Sequence, residues 1–166
     1  MDFQYRYKLK KSDKKKIKEL LLSTGFFYDF EIQVAIEIVE QTISKGEAVS
    51  GYQFVIAEDE NKMLGFSCFG SAPCTVESYD LYWFAVHKDS MNRGLGSKIL
   101  SHTEEIISSK GGMNIWIETS SRLTYTPTRA FYKKKGYMVQ AELPDFYAPG
   151  DNKVIFLKKM LNGKNL

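Results

Sequence analysis

Residues 3–9 set Phe3, Tyr5, Tyr7 and Leu9 against Gln4, Arg6 and Lys8, and this strict alternation predicts a half-buried strand. Ser12 or Asp13 can then cap a helix running to about Thr24, with Gly25 as its stop. A second helix, roughly Glu31–Lys45, places Ile32, Ala35, Ile36, Val39 and Ile43 on one face and ends at Gly46. The β-rich runs Tyr52–Glu58 and Met63–Gly70 are joined by Asp59-Glu60-Asn61-Lys62, which predicts a hairpin with a four-residue turn. After a polar stretch around Pro73, Tyr79–Val86 reads as a central strand covered on both faces.

Gly94–Ser108 has the apolar spacing of a helix through Leu95, Ile99, Leu100, Ile106 and Ile107, and Lys110-Gly111-Gly112 terminates it. Met113–Thr119 is a further strand. Thr126-Pro127 opens a short helix, and Gly136 supplies its left-handed stop. Two more strands, about Tyr137–Glu142 and Lys153–Lys159, flank a turn-rich loop containing Pro144, Pro149 and Gly150. The order β-α-α-β-β-β-α-β-α-β-β predicts an α/β (α+β) fold, a mixed sheet with helices on its faces.

The 166 residues suit one domain at roughly 100–200 residues per domain. With 43% hydrophobic, 26% charged and 14% aromatic residues, the composition excludes disorder, collagen and coiled coil. The longest unbroken apolar run, Leu81–Val86, is far below the ~18 residues of a membrane span. The first residues lack the apolar core and small-residue cleavage site of a secretory signal, so a soluble, cytoplasmic protein is expected. A net charge of +3 is too balanced to imply a nucleic-acid or membrane partner. Lys8, Lys10, Lys11, Lys14, Lys15 and Lys16 crowd the start of the chain and read as a solvated helix face, with a nucleic-acid patch as the competing account. Cys68 and Cys74 lack Cys-x-x-Cys spacing, and His87 and His102 do not complete a zinc set, so no metal is expected.

The candidate chemistry lies after the central strand, where His87–Arg93 leads into Gly94-Leu95-Gly96 at the start of a helix. Glycines there let backbone N–H groups approach an anion, and the helix dipole favours a phosphate. Arg93 and Lys98 add cations nearby. The loop is neither a Walker loop nor a Rossmann fingerprint, because the phosphate-loop lysine is missing and Ile99 stands at the third glycine position.

The strand, the loop Met91-Asn92-Arg93-Gly94-Leu95-Gly96 and the later Arg129-Ala130-Phe131-Tyr132-Lys133-Lys134-Lys135-Gly136-Tyr137 together resemble the GNAT superfamily of coenzyme A-dependent N-acetyltransferases. The resemblance covers about residues 3–160. It implies a mixed, mostly antiparallel sheet of about seven strands flanked by about four helices. It also implies transfer of an acetyl group from acetyl-coenzyme A to a primary amine by direct attack in a ternary complex. A non-catalytic acyl-coenzyme A sensor is the alternative.

Carried onto this chain, the resemblance assigns the cofactor to Phe84, Ala85, Val86, Met91, Asn92, Arg93, Gly94, Leu95, Gly96, Ser97 and Tyr132. The backbone N–H of Val86 would serve as oxyanion donor, and Tyr132 would protonate the leaving thiolate. Glu118, preferred, or Asp80 would take the proton that an amine of pKa near ~10.4 must lose. Met91 replaces the usual Gln or Arg, and Tyr125 stands where many members carry an Asn that helps hold the cofactor. The acceptor, a small-molecule or peptide amine, would enter near Phe26-Phe27-Tyr28-Asp29-Phe30 and Asp145–Asp151. A monomer or a homodimer suits the exposed strand edges expected at the ends of such a sheet.

Overall fold

The computed structural model describes residues 3–60 and 62–160. The strands are β1 (Gln4–Arg6), β2 (Gln53–Asp59), β3 (Lys62–Ser71), β4 (Ser78–Val86), β5 (Asn114–Ser120), β6 (Met138–Ala148) and β7 (Asp151–Lys159). The helices are α1 (Asp13–Thr24), α2 (Asp29–Lys45), α3 (Glu47–Ser50), α4 (Leu95–Ser109) and α5 (Thr126–Lys134). The seven strands run in the order β1-β2-β3-β4-β5-β7-β6. Pair β4–β5 is parallel, while β1–β2, β2–β3, β5–β7 and β6–β7 are antiparallel. The expected mixed, mostly antiparallel α/β fold is therefore observed, with the single turn of α3 as a fifth helix.

The described residues divide into two compact units: those up to Gly70 together with Trp83–Glu105, and Ser71–Tyr82 together with those from Ile106 to Met160. In the first unit, β3 shows why its residue types alternate. Phe66 and Cys68 join Ile17, Leu20, Ile32, Ile36 and Val39 of α1 and α2 in one apolar cluster. Ser67, between them in sequence, turns to α4, where its Oγ lies 2.7 Å from Thr103 Oγ1. Thr103 in turn donates to the Ile99 carbonyl at 2.9 Å, so the buried hydroxyl pair is satisfied.

The N-terminal strand is shorter than the alternation predicts. Arg6 forks onto Asp13 (2.7 and 2.9 Å) and onto Glu58 (3.1 and 3.0 Å), and it also donates to the Lys8 carbonyl. Satisfying the guanidinium in this way takes the chain out of the strand after Arg6. Asp13 is fully buried and accepts the Lys10 N–H at 2.6 Å, whereas Ser12 makes no side-chain cap. The β2–β3 pairing reaches Asp59↔Lys62, so the hairpin closes more tightly than a four-residue turn.

In the second unit, β5 lies between β4 and β7. Phe156 of β7 is fully buried, with Tyr132 of α5 at 5.9 Å between ring centroids. The expected loop around Pro144 is instead part of β6. Pairing runs from Leu143↔Lys153 directly to Ala148↔Asp151, leaving Pro144–Tyr147 as a bulge. Asp145 holds the bulge in a left-handed conformation (φ 51°): its N–H donates to Asn152 Oδ1 at 2.9 Å, and its carboxylate accepts from Gly150 N–H at 2.6 Å.

Candidate active site

The phosphate-loop candidate belongs to the first unit. At the end of β4, His87 N–H donates to the Leu64 carbonyl at 2.8 Å, tying the exit of the strand to β3. A short turn at Lys88–Ser90 follows, and then Asn92 (φ 60°) and Gly94 (φ 76°) both adopt left-handed backbone. Alternating left-handed residues turn successive N–H groups toward one side, and the first amides of α4 have no partner within the helix. A Cβ on Gly94 would meet nothing within 4 Å, so the loop is open to a ligand at that point. Leu95 is buried and anchors the helix start, while Arg93 is exposed. Backbone amides at a helix N-terminus beside an exposed arginine are the donor set that a pyrophosphate takes.

Of the other predicted cofactor residues, Ala85 is buried, and Phe84, Val86, Met91, Gly96 and Ser97 are half-buried. Gly65 explains how closely β3 approaches the end of β4: a Cβ there would sit 3.0 Å from the Ala85 carbonyl oxygen and 3.4 Å from Val86 Cα. A cavity of about 430 Å³ in the same unit is lined by Tyr5, Lys98, Ser101, His102 and Glu105, and shares Ser97 with the predicted cofactor set.

The two candidate bases share the second unit. Asp80 pairs with Trp116 across the parallel β4–β5 ladder, and Glu118, two residues on, points to the same face. That pairing ends at Leu81↔Ile117, although β4 runs on to Val86 and β5 to Ser120. Asp80 is half-buried, and burial first, then the negative charge of Glu118, push its carboxyl above the usual aspartate range; a hydrogen bond with Tyr82 pulls partly the other way. Glu118 is exposed and its Oε2 lies 2.7 Å from Lys153 Nζ.

Tyr132 lies on the opposite face of these strands. Glu118 is registered with Ile155, so the next residue, Phe156, faces away from it, and Tyr132 packs on Phe156 and Tyr137. Burial, with Tyr125 adding to it, drives the Tyr132 phenol pKa upward, so the hydroxyl keeps its proton. Tyr125, at the position of the family's Asn, is buried with the Arg122 guanidinium 5.1 Å from its ring centre.

The family model for the acetyltransferase (GNAT) domain matches residues 50–139. This chain belongs to the GNAT acetyltransferase family. A solved structure from Desulfovibrio desulfuricans, assigned to that family, is 35% identical to this GNAT chain, covering 95% of it and 99% of the other, with a TM-score of 0.92. An aminoglycoside 6'-N-acetyltransferase complexed with coenzyme A has 17% identity, coverage of 97% and 98%, and a TM-score of 0.74. The ribosomal-protein-S18-alanine N-acetyltransferase from Escherichia coli has 18% identity, coverage of 98% and 99%, and a TM-score of 0.72. At those two identities the likeness is one of fold. No curated protein sequence matches the chain.

The matched stretch of this GNAT chain carries the loop, Asp80, Glu118 and Tyr132, and it stops before β7. Lys153, the partner of Glu118, was not singled out by its sequence pattern, because one lysine among Lys153, Lys158 and Lys159 on an amphipathic strand has no distinguishing signal. Of the two acceptor segments, the first lies in the first unit. Phe27 packs on Trp83 at 5.3 Å beside the apolar cluster, while Tyr28 and Phe30 stack at 5.5 Å and are exposed. The second segment is the β6 bulge, and its Phe146 and Tyr147 rings are exposed. No helix among the described residues is long and apolar enough to cross a membrane.

Proposed function

We propose that this chain works as one acetyltransferase domain, transferring an acetyl group from acetyl-coenzyme A to a primary amine by direct attack. The observation that carries this is the left-handed Asn92 and Gly94 pair at the open N-terminus of α4, a pyrophosphate cradle in a chain of this family. The relatives solved as a coenzyme A complex and as N-acetyltransferases support the donor and the acceptor atom. The donor supplies an acyl group activated as a thioester.

The residues then divide the work. The amides of Asn92–Ser97, with Arg93, hold the pyrophosphate, and the backbone of Phe84–Val86 lines the donor, with the Val86 N–H taking the role of donor to the thioester oxygen. Backbone donors survive the replacement of the family's Gln or Arg by Met91. An incoming ammonium must lose a proton before its lone pair can form the C–N bond. Asp80 suits this step directly or through one water, because its raised pKa makes it a stronger base than an ordinary aspartate, and Glu118 sustains that pKa. The amine adds to the thioester carbonyl, the tetrahedral adduct collapses with cleavage of C–S, and the resemblance assigns the proton for the departing sulfur to Tyr132, whose phenol stays protonated on the strand face opposite Asp80.

Calorimetric titration with coenzyme A, acetyl-coenzyme A and ATP in parallel tests the cradle. Binding confined to the two coenzyme A ligands is expected, followed by thiol release when amines are added. No binding of either removes the proposal, and binding without turnover across an amine panel leaves a sensor of acyl-coenzyme A.

A further inference from the structure

Lys153 of β7 is a largely enclosed lysine. Its side chain is 12% exposed, although it stands on the same face as Glu118, which is 55% exposed. The Nζ lies 2.7 Å from Glu118 Oε2, 3.7 Å from the centre of the Phe146 ring and 5.8 Å from that of Tyr147. A lysine on a strand surface ordinarily lays its stem along the protein and keeps its charge in water. Here the charge is held by a carboxylate and two ring faces, the combination that recognises ammonium groups.

The enclosure is built, not incidental. Phe146 and Tyr147 reach Lys153 because Pro144–Tyr147 bulge out of the ladder. Asn152 fixes that bulge from below: its Oδ1 accepts from Asp145 N–H, its Nδ2 donates to Glu142 Oε1 at 2.7 Å, and its own N–H donates to Ser121 Oγ at 2.8 Å. Ser121 N–H returns a bond to the Asn152 carbonyl at 2.9 Å. Both rings are thereby presented on an exposed segment whose backbone is pinned.

From this geometry we infer that Glu118, Phe146 and Tyr147 form the acceptor's ammonium site, that Lys153 occupies it when no acceptor is bound, and that the acceptor is a primary ammonium on an unbranched methylene chain. Exchange of one ammonium for another leaves no unpaired charge at Glu118, and the released Lys153 head can swing to water on its flexible stem. The unbranched chain follows from the present occupant, whose ammonium at the rings is carried on an unbranched methylene stem. Asp80, on the same strand face, is then the group available to take the proton. This inference rests on the acyltransferase proposal for what happens to the amine, but its test uses no acyl donor.

The full chain is titrated with n-butylammonium and, separately, with Nα-acetyl-lysine methylamide, as wild type, Lys153→Met and Lys153→Met/Glu118→Gln. Removing a tethered competitor should tighten binding of at least one probe about tenfold in Lys153→Met. Adding Glu118→Gln should abolish the gain, and the tighter probe distinguishes a small amine from a peptide lysine as the source. In the wild type, the ring-shifted ε-methylene signal of Lys153 should move to its solvent position as probe is added. Equal affinity in wild type and Lys153→Met, a gain that survives Glu118→Gln, or an unmoved Lys153 signal at saturation each overturn the inference. Coenzyme A titration of the same samples keeps the two failures apart: a chain that binds coenzyme A and fails here loses the ammonium site alone.

Discussion

Gly65→Ala tests whether the close approach of β3 to the end of β4 positions the cofactor backbone. Gly65 has an ordinary φ, so in open space an alanine there would stabilise by ~0.4–1 kcal/mol through the unfolded chain. The space is not open. The new Cβ would lie 2.7 Å from Ile99 Cδ1, 3.0 Å from the Ala85 carbonyl oxygen and 3.4 Å from Val86 Cα. Ile99 is fully buried, which limits its escape, and Ala85 can yield only if β4 shifts. Overpacking of this kind costs ~1–3 kcal/mol. At ~2 kcal/mol, and 2–4 °C per kcal/mol for a chain of this length, the expected fall in Tm is about 4–8 °C. The same shift displaces the backbone of Ala85 and Val86, so coenzyme A affinity should weaken alongside. Gly112→Ala is the control, since its Cβ would press on Tyr79 Cδ2 at 2.8 Å, in the other unit. It should lower Tm and leave coenzyme A affinity in place. A Gly65→Ala protein with unchanged or higher Tm by scanning calorimetry would refute the steric reasoning, and an unchanged Kd for coenzyme A would refute its link to the site.

Arg6→Met strips the cation from the fully buried Asp13, and breaking such a pair should cost ~3–5 kcal/mol, read as a lower urea midpoint at unchanged slope. The Arg6 hydrogen bond holds the Glu58 carboxyl below its usual range, so the stability it contributes is present above the ordinary glutamate pKa and disappears as pH falls through the depressed one. Urea midpoints measured from pH 7 downward should show that loss in the wild type and a flatter profile in Glu58→Gln. Asp80→Asn should lower kcat by ~10²–10⁴ and remove an acid limb of kcat/KM lying above the ordinary aspartate range. Glu118→Gln should move that limb to lower pH by removing a neighbouring negative charge, and an unmoved limb would detach Asp80 from it.

Local periodicity carried most of the architecture. The apolar and aromatic run of β4 and the helical faces of α1, α2 and α4 are properties of a few consecutive residues, and the stops at Gly25 and Gly136 have left-handed backbone. What stayed hidden depends on partners far away in sequence. Nothing in residues 3–9 says that Arg6 will bond Asp13 and Glu58 and that the strand will end there. Pro144, Asp145 and Gly150 each favour turns, and only Asn152 across the ladder makes them a bulge within a strand. The left-handed turn into α4 was legible because Gly94 stands just before the helix, where a positive φ favours glycine. Lys153 was not, because its significance is a distance to Glu118 and to two rings rather than a spacing.

Asp80 and Glu118 are chemically near-equivalent carboxylates on one strand face, and their identities do not separate their roles. Their surroundings do. A half-buried carboxylate beside another negative charge gains by taking a proton, which is what a general base must do at neutral pH. An exposed carboxylate already holding an ammonium at 2.7 Å is suited to binding a cation and not to deprotonating it, because the pair stabilises the charge that the reaction has to remove. On the proposed mechanism, Glu118 serves the step before chemistry and Asp80 the step itself. The two are coupled through their charges: Glu118 raises the Asp80 pKa, and because one ammonium replaces another at Glu118, on the proposed exchange the acceptor arrives without weakening the base that must deprotonate it.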